Sequence, residues 1–168
     1  MRAILISMVV MAACTSGPST GEAVKAWAGM DNANWWGLIG ATAQARDAGA
    51  PADVIALDFN GACQDGGTVS VTGIYDNAAI ATSTSFDLQT SLVRCANDQG
   101  TFDGDFTWTS RVFTTGVSIT VKGNLTYEST AHEVFACNVD EWSTTDSTRH
   151  FAGTICGYDM RDDLKLGY

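Results

Sequence analysis

Between Val117 and Tyr127 every second residue is apolar or glycine: Val117, Ile119, Val121, Gly123, Leu125 and Tyr127. The residues between them, Ser118, Thr120, Lys122, Asn124 and Thr126, are polar. Side chains along a strand change sides at each residue, so only one of these sets can face a core. The pattern predicts a strand with one buried face and one wet face, an arrangement that antiparallel sheets accept. The same period recurs in Thr68–Tyr75, in Phe86–Leu92, and in Phe102, Gly104, Phe106 and Trp108. An earlier strand starts near Val54, with either Val54 and Ala56 or Ile55, Leu57 and Phe59 inward. Two weaker strands fall around residues 132–142 and 149–158. Turn residues separate the runs at 64–67, Asp76-Asn77, 97–100, Thr115-Gly116 and 143–147. No long helical segment lies between the strands, so sequential antiparallel pairing is expected rather than parallel crossovers.

The expected fold is therefore mainly β. It is a single antiparallel, strongly curved sheet, or a barrel-like or sandwich domain, of about seven strands with an N-terminal helical segment. Gly73, Gly104 and Gly123 stand where inward side chains are expected, and glycines inside strands mark bends that let a sheet coil. A faint repeat runs through the same region. Cys63-x-Asp65-x-Gly67-Thr68-Val69 is echoed by Cys95-x-x-Asp98-x-Gly100-Thr101-Phe102. Each copy ends one strand at a cysteine, turns through polar residues and opens the next strand at Gly-Thr.

Helical signals lie upstream, near residues 22–48. Ser19-x-x-Glu22 forms a capping-box pattern. Ala23, Trp27 and Met30 recur at helical spacing, and Trp35, Leu38, Ile39, Thr42 and Ala43 share one face. Asp31 or Asn32 suits a second cap, Gly37 and Gly40 weaken the run, and Gly49 with Pro51 stops it. One long broken helix or two short ones are expected. Trp27, Trp35 and Trp36 are expected to pack on the sheet; the alternative is a ligand platform.

A chain of 168 residues suits one domain, and 45% hydrophobic against 17% charged residues supplies a core. The net charge of −10, with nine Lys and Arg, lacks the basic footprint that nucleic acid requires. Two histidines leave little scope for His-rich metal chemistry.

The first residues carry an address. Arg2 precedes the apolar run Ala3–Met11, which ends in Ala12-Ala13-Cys14. The run is shorter than the roughly 20 apolar residues that cross a bilayer, and it reads as a signal peptide over residues 1–13. Met11-Ala12-Ala13-Cys14 resembles the lipobox of bacterial lipoproteins. That resemblance implies cleavage before Cys14, diacylglycerol on its thiol and an acyl group, such as palmitate, on the new amino terminus. In such lipoproteins an Asp after the cysteine favours the inner membrane; Thr15 stands there instead, which implies the outer membrane. Ordinary secretion with cleavage near Ala13 is the alternative. Residues 14–21 are small and polar and read as a lipid-anchored tether, followed by one β-rich domain over residues 22–168. From residue 54 to 158 the texture is similar to that of Thr- and Gly-rich all-β bacterial lipoproteins, a resemblance that brings no activity with it.

Without Cys14, four cysteines remain: Cys63, Cys95, Cys137 and Cys156. An even number in an oxidising compartment implies disulfides, and four cysteines allow three connectivities. Cys63–Cys95 and Cys137–Cys156 are preferred because each would tie neighbouring strands. A zinc site lacks its usual paired C-x-x-C spacing.

Candidate chemistry is sparse. His132-Glu133 and His150 could form an acid–base pair with Asp140 or Asp146, but no G-x-S-x-G or H-E-x-x-H pattern accompanies them. Asp98, Asp103 and Asp105 gather oxygens suited to a weak calcium site, without the order of an EF-hand. No cofactor motif is present. The expected role is a non-enzymatic binding or structural one at the bacterial outer membrane, joined to the bilayer through lipid on Cys14. Two alternatives remain: a carrier of a small apolar ligand inside the curved sheet, and an envelope hydrolase. The sequence names no protein partner or ligand and excludes nucleic acid.

Overall fold

The computed structural model describes residues 17–50, 54–79, 83–113, 116–145 and 149–166. The expected signal peptide of residues 1–13 and the lipidation site Cys14 lie outside them, as do Asp146 and the turns at Thr115 and Ser147.

The strand alternation seen in the sequence becomes one eight-stranded antiparallel sheet in simple order. Its strands are β1 (Val54–Ala62), β2 (Thr68–Ala79), β3 (Ser83–Asn97), β4 (Gly100–Phe113), β5 (Gly116–Ser129), β6 (Val134–Thr145), β7 (Arg149–Ile155) and β8 (Tyr158–Asp159). Each strand pairs with the next, and β1 does not pair with β8, so the sheet is open. It is neither a closed barrel nor a sandwich. One expected turn is not a turn: β2 runs through Asp76-Asn77 to Ala79 with a register shift. The expected break at 143–147 comes later than its first residues, since β6 continues to Thr145, and residues 146–148 lie outside the described ones. A second register shift falls between Leu92 and Cys95, where Arg94 adopts a φ of 49°.

Val121, Leu125 and Tyr127 of β5 are buried, as the alternation requires. At the start of the strand the contrast fades. Val117 and Ile119 are half-buried, and so are Ser118 and Thr120 on the other face. The inward glycines do admit a close fit. At Gly123 (β5) a Cβ would overlap the carbonyl oxygen of Asp105 and crowd the Phe106 ring. The first strand turns Ile55 and Leu57 inward rather than Val54 and Ala56.

The inner face of the sheet is covered by a single continuous helix, α1 (Thr20–Asp47). At 28 residues it is about 42 Å long. Ser19 caps it, its Oγ accepting from the Glu22 amide at 3.2 Å. Glu22 does not reach back to complete the capping box. It binds Lys25 and Tyr127 instead.

Large apolar residues do not form the sheet-facing side of α1. Apart from Met30, Asn34 and Leu38, that side is small: Ala23, Ala26, Gly29, Ala33, Gly37 and Ala41. Small residues let the sheet's rings and branched chains come against the helix backbone. Phe102 lies over Gly29, Val69 and Val71 over Gly37, and Phe59 over Gly40. These contacts show how α1 crosses the strands. Its first turns meet Tyr127 of β5 and Phe151 of β7, and Gly40 near its end meets β1. The glycines that weaken the helix by propensity are the places where the sheet touches it. Trp27 stacks edge-on against Phe151 at 5.1 Å, and its Nε1 donates to the buried Glu141 at 3.1 Å. Trp35 is 36% exposed and meets Trp108 edge-on at 4.8 Å. Trp36 faces outward, contrary to the expectation that it packs on the sheet, and Ile39 faces outward with it.

The helix also takes in Thr20 and Gly21, expected in the tether. Pro18 just before it is buried, with its carbonyl accepting from the Tyr158 hydroxyl at 2.7 Å. The C-terminal tail, which reads as a charged surface end, places Met160 and Leu164 in the core. Asp159 organises that turn, its carboxylate accepting from the Arg161 and Asp162 amides.

Candidate functional site

The outward-facing side chains of the sheet line up in rows, because paired residues on neighbouring antiparallel strands stand side by side. One row reads Asn60, Ser70, Ser91, Asp105, Asn124, Asn138 from β1 to β6. The adjacent row reads Asp58, Thr72, Gln89, Thr107, Lys122, Asp140. Hydroxyls, amides and carboxylates therefore cover the middle of the outer face.

That face is indented. One depression of about 490 Å³ lies over β2–β5, among Ser70, Thr72, Gln89, Ser91, Thr107 and Lys122. A second of about 470 Å³ lies over β4–β6, among Asp103, Asn124, Thr126 and Asn138. Asp105 belongs to both. Phe106 and Gly123 lie at the first depression and Gly104 at the second. Lys122 Nζ binds Asp140 Oδ1 at 3.0 Å. Two residues along β6, Trp142 stands on the same face, 46% exposed and paired across to Thr120. A polar trough with an aromatic plane beside it can hydrogen-bond a ligand rich in hydroxyls and stack on one of its faces.

Of the sequence's own candidates, Asp103 and Asp105 line these depressions and Asp140 pairs with Lys122 at their edge; the cysteines, the histidines and Asp98 lie elsewhere. Both expected disulfides are formed, Cys63–Cys95 and Cys137–Cys156. Cys137–Cys156 ties β6 to the turn after β7. Cys63–Cys95 spans further than expected: it joins the end of β1 to β3, next-but-one strands, past the start of β2. The turn after Cys63 closes on β3 through Asp65 N to Ala96 O and Ala96 N to Gly66 O.

The calcium candidates do not converge. Asp103 and Asp105 lie on the outer face of β4, while Asp98 sits in the β3–β4 turn. Asp103 Oδ1 already accepts from the Arg94 amide at 2.7 Å. Among the described residues no three carboxylate, histidine or cysteine groups gather where they could hold an ion.

His132 sits in the β5–β6 turn with a φ of 62°. Its Nδ1 lies 3.0 Å from Glu128 Oε1, and Arg94 binds the other oxygen of the same carboxylate at 3.0 Å. His132 first, then Arg94, holds the Glu128 carboxyl below its ordinary range. This is an exposed ion-pair cluster. His150 is on β7, beside Thr144, and Asp140 is engaged by Lys122. The histidines and Asp140 are thus not assembled into an acid–base pair.

Sequence reasoning missed Trp142 and Glu141. Their parity on β6 was available: Cys137 and Val139 face inward, so Glu141 must follow them and Trp142 must face out. Among the described residues no helix is long and apolar enough to cross a membrane.

Fold and surface define an open, disulfide-bridged antiparallel sheet carried on one helix. No family model, curated protein or solved structure matches this chain.

Proposed function

We propose that this chain is a lipid-anchored, non-enzymatic binding protein of the bacterial outer membrane, and that its outer sheet face holds a neutral, hydroxyl-rich ligand of the glycan class. The observation that carries the reading is the pair of polar depressions sharing Asp105, with exposed Trp142 on the same face of the sheet. Hydroxyls and amides predominate there, and the lining cation Lys122 is paired with Asp140, so an anionic ligand finds little complement. The anchor rests on Met11-Ala12-Ala13-Cys14 and on two disulfides, which form and persist in oxidising compartments. An apolar cargo inside the sheet has less support, because α1 occupies that side with glycine-to-ring contacts.

The test is a titration with N-acetylglucosamine oligomers followed by amide NMR and tryptophan fluorescence. Shifts at Gln89, Asp105 and Lys122, with a fluorescence change lost in Trp142→Ala, are expected. No shift at millimolar oligomer overturns the ligand reading. The anchor is tested separately: Cys14→Ser should leave the membrane fraction.

A further inference from the structure

The outward side of α1 is the anomaly of this fold. A helix lying on a sheet normally buries its large apolar residues and exposes polar ones. Here much of the sheet-facing side is Ala and Gly, and two large apolar groups, Trp36 and Ile39, face away. Trp36 is 53% exposed and Ile39 60%. Positions 25, 32, 36, 39, 43 and 46 fall along one line of the helix. They read Lys25, Asn32, Trp36, Ile39, Ala43, Arg46, and all six are exposed. An apolar segment thus lies opposite the sheet, bounded by a basic residue at each end.

We infer that this line of α1 rests on the lipid surface, so that the helix lies along the bilayer and the grooved face of the sheet points away from it. The inference builds on the lipid-anchor reading above. Three observations single out lipid as the occupant. First, the anchor is close. Pro18 is fixed to Tyr158, so only Cys14–Gly17 separate the acyl group from the folded domain, a reach of about 13 Å. Second, tryptophan favours the membrane interface, where its ring is half in hydrocarbon and its N–H stays wet. Lys25 and Arg46 have stems long enough to lift their charges to the headgroups. Lys25 already shares its charge with Glu22, so anionic lipid is not required. Third, a second copy is a poor fit. Trp36, Ile39 and Ala43 offer far less than the roughly 800 Å² per partner of a stable protein interface, and each copy, once Arg2 is cleaved away, carries eleven excess negative charges.

The experiment uses the full lipid-modified chain in phosphatidylcholine vesicles with brominated acyl chains. An environment-sensitive dye is placed at Ala43→Cys on the helix line or at Asp58→Cys on the outer sheet face. Bromolipid should quench the dye at 43 at least several-fold more than the dye at 58. Trp36→Asp with Ile39→Asp should abolish that difference at an unchanged melting temperature. Equal quenching at the two positions, or quenching that survives the double substitution, overturns the inference. A blue shift at 43 without bromolipid quenching, with a dimer in sedimentation, overturns it in favour of a second copy. The mass of the purified chain separates the two readings. Acyl mass without quenching leaves the anchor standing and removes the docking. Absence of acyl mass removes both.

Discussion

The Tyr127 hydroxyl donates to Glu22 Oε2 at 2.8 Å, joining the first turn of α1 to β5 across 105 residues of sequence. Tyr127 is fully buried, and its ring stacks at 5.4 Å on Phe102, which itself presses on Gly29 of the helix. The bond is therefore part of the seam between helix and sheet. Lys25, then Tyr127, holds the Glu22 carboxyl below its ordinary range, while burial, then Glu22, pushes the Tyr127 hydroxyl up.

The pH dependence follows from these directions. Glu22 has a depressed folded pKa, so its contribution is present above about pH 4.3, its unfolded value, and fades as pH falls through the folded value. Tyr127 has a raised folded pKa, so its contribution is intact below about pH 10 and declines as pH rises beyond that. Tyr127→Phe should lower stability by about 1.5–3 kcal/mol at neutral pH, the range for a hydrogen bond to a charged group. It should also flatten the alkaline limb. Denaturant melts of both proteins at pH 3.5, 7 and 10.5 check this; an unchanged alkaline limb contradicts it.

On β5, Leu125 is buried and Thr126 exposed. Leu125→Asn removes core packing and buries an amide, so it should cost about 3–5 kcal/mol. Thr126→Asn should stay within about 0.5 kcal/mol. Ile119→Asn should fall between them, because both faces of the strand are half-covered there. Thermal melts of the three variants rank them; equal midpoints would remove the basis for a single buried face.

Thr90 lies on the inner face of β3, 2% exposed, and among the described residues its Oγ1 meets no hydrogen-bond partner. An unpaired buried hydroxyl carries a desolvation cost with nothing returned. Thr90→Val keeps the branched shape and removes that hydroxyl. It should raise stability by about 1 kcal/mol, read as a higher midpoint in urea at constant slope.

Strands were legible because period-two alternation follows directly from burying one face, and β5 shows it over its central and last residues. The sheet-facing side of α1 was legible at Ala23, Trp27 and Met30 but not beyond them. Periodicity is read from large apolar groups, and this side is mostly Ala and Gly, so the eye goes to Trp36 and Ile39 on the opposite side. The groove was illegible for a different reason. Its residues are polar and outward on every strand, indistinguishable one by one from a solvated surface. Only the cross-strand register sets Gln89 beside Thr107 and Asp105 beside Asn124, and the register passes through irregularities at 76–79 and 92–95. The disulfide pairs were legible, but strand adjacency was not, since Cys63 reaches past β2 to β3.

The helix glycines give the sharpest test of the seam. Gly29 is buried, and a Cβ there would overlap the ring of Phe102, itself 0% exposed and stacked on Tyr127. By propensity alone Gly→Ala inside a helix should stabilise by roughly 1 kcal/mol. The ring has no free direction in which to retreat, so overpacking should reverse the sign and Gly29→Ala should destabilise by about 1–3 kcal/mol. Gly21 is the control on the same helix. A Cβ there would meet only Ser19 Oγ, at 3.8 Å, and Gly21→Ala should be neutral or stabilising by a few tenths of a kcal/mol. Paired urea melts decide between the two forces. Stabilisation by both substitutions would mean that propensity governs α1 and that the contact with Phe102 is loose. Opposite signs would mean that the fit of the sheet against the helix backbone sets stability. In that case Phe102→Leu, which shortens the ring's reach, should relieve the cost of Gly29→Ala, and the double variant should be less destabilised than the sum of the two single changes.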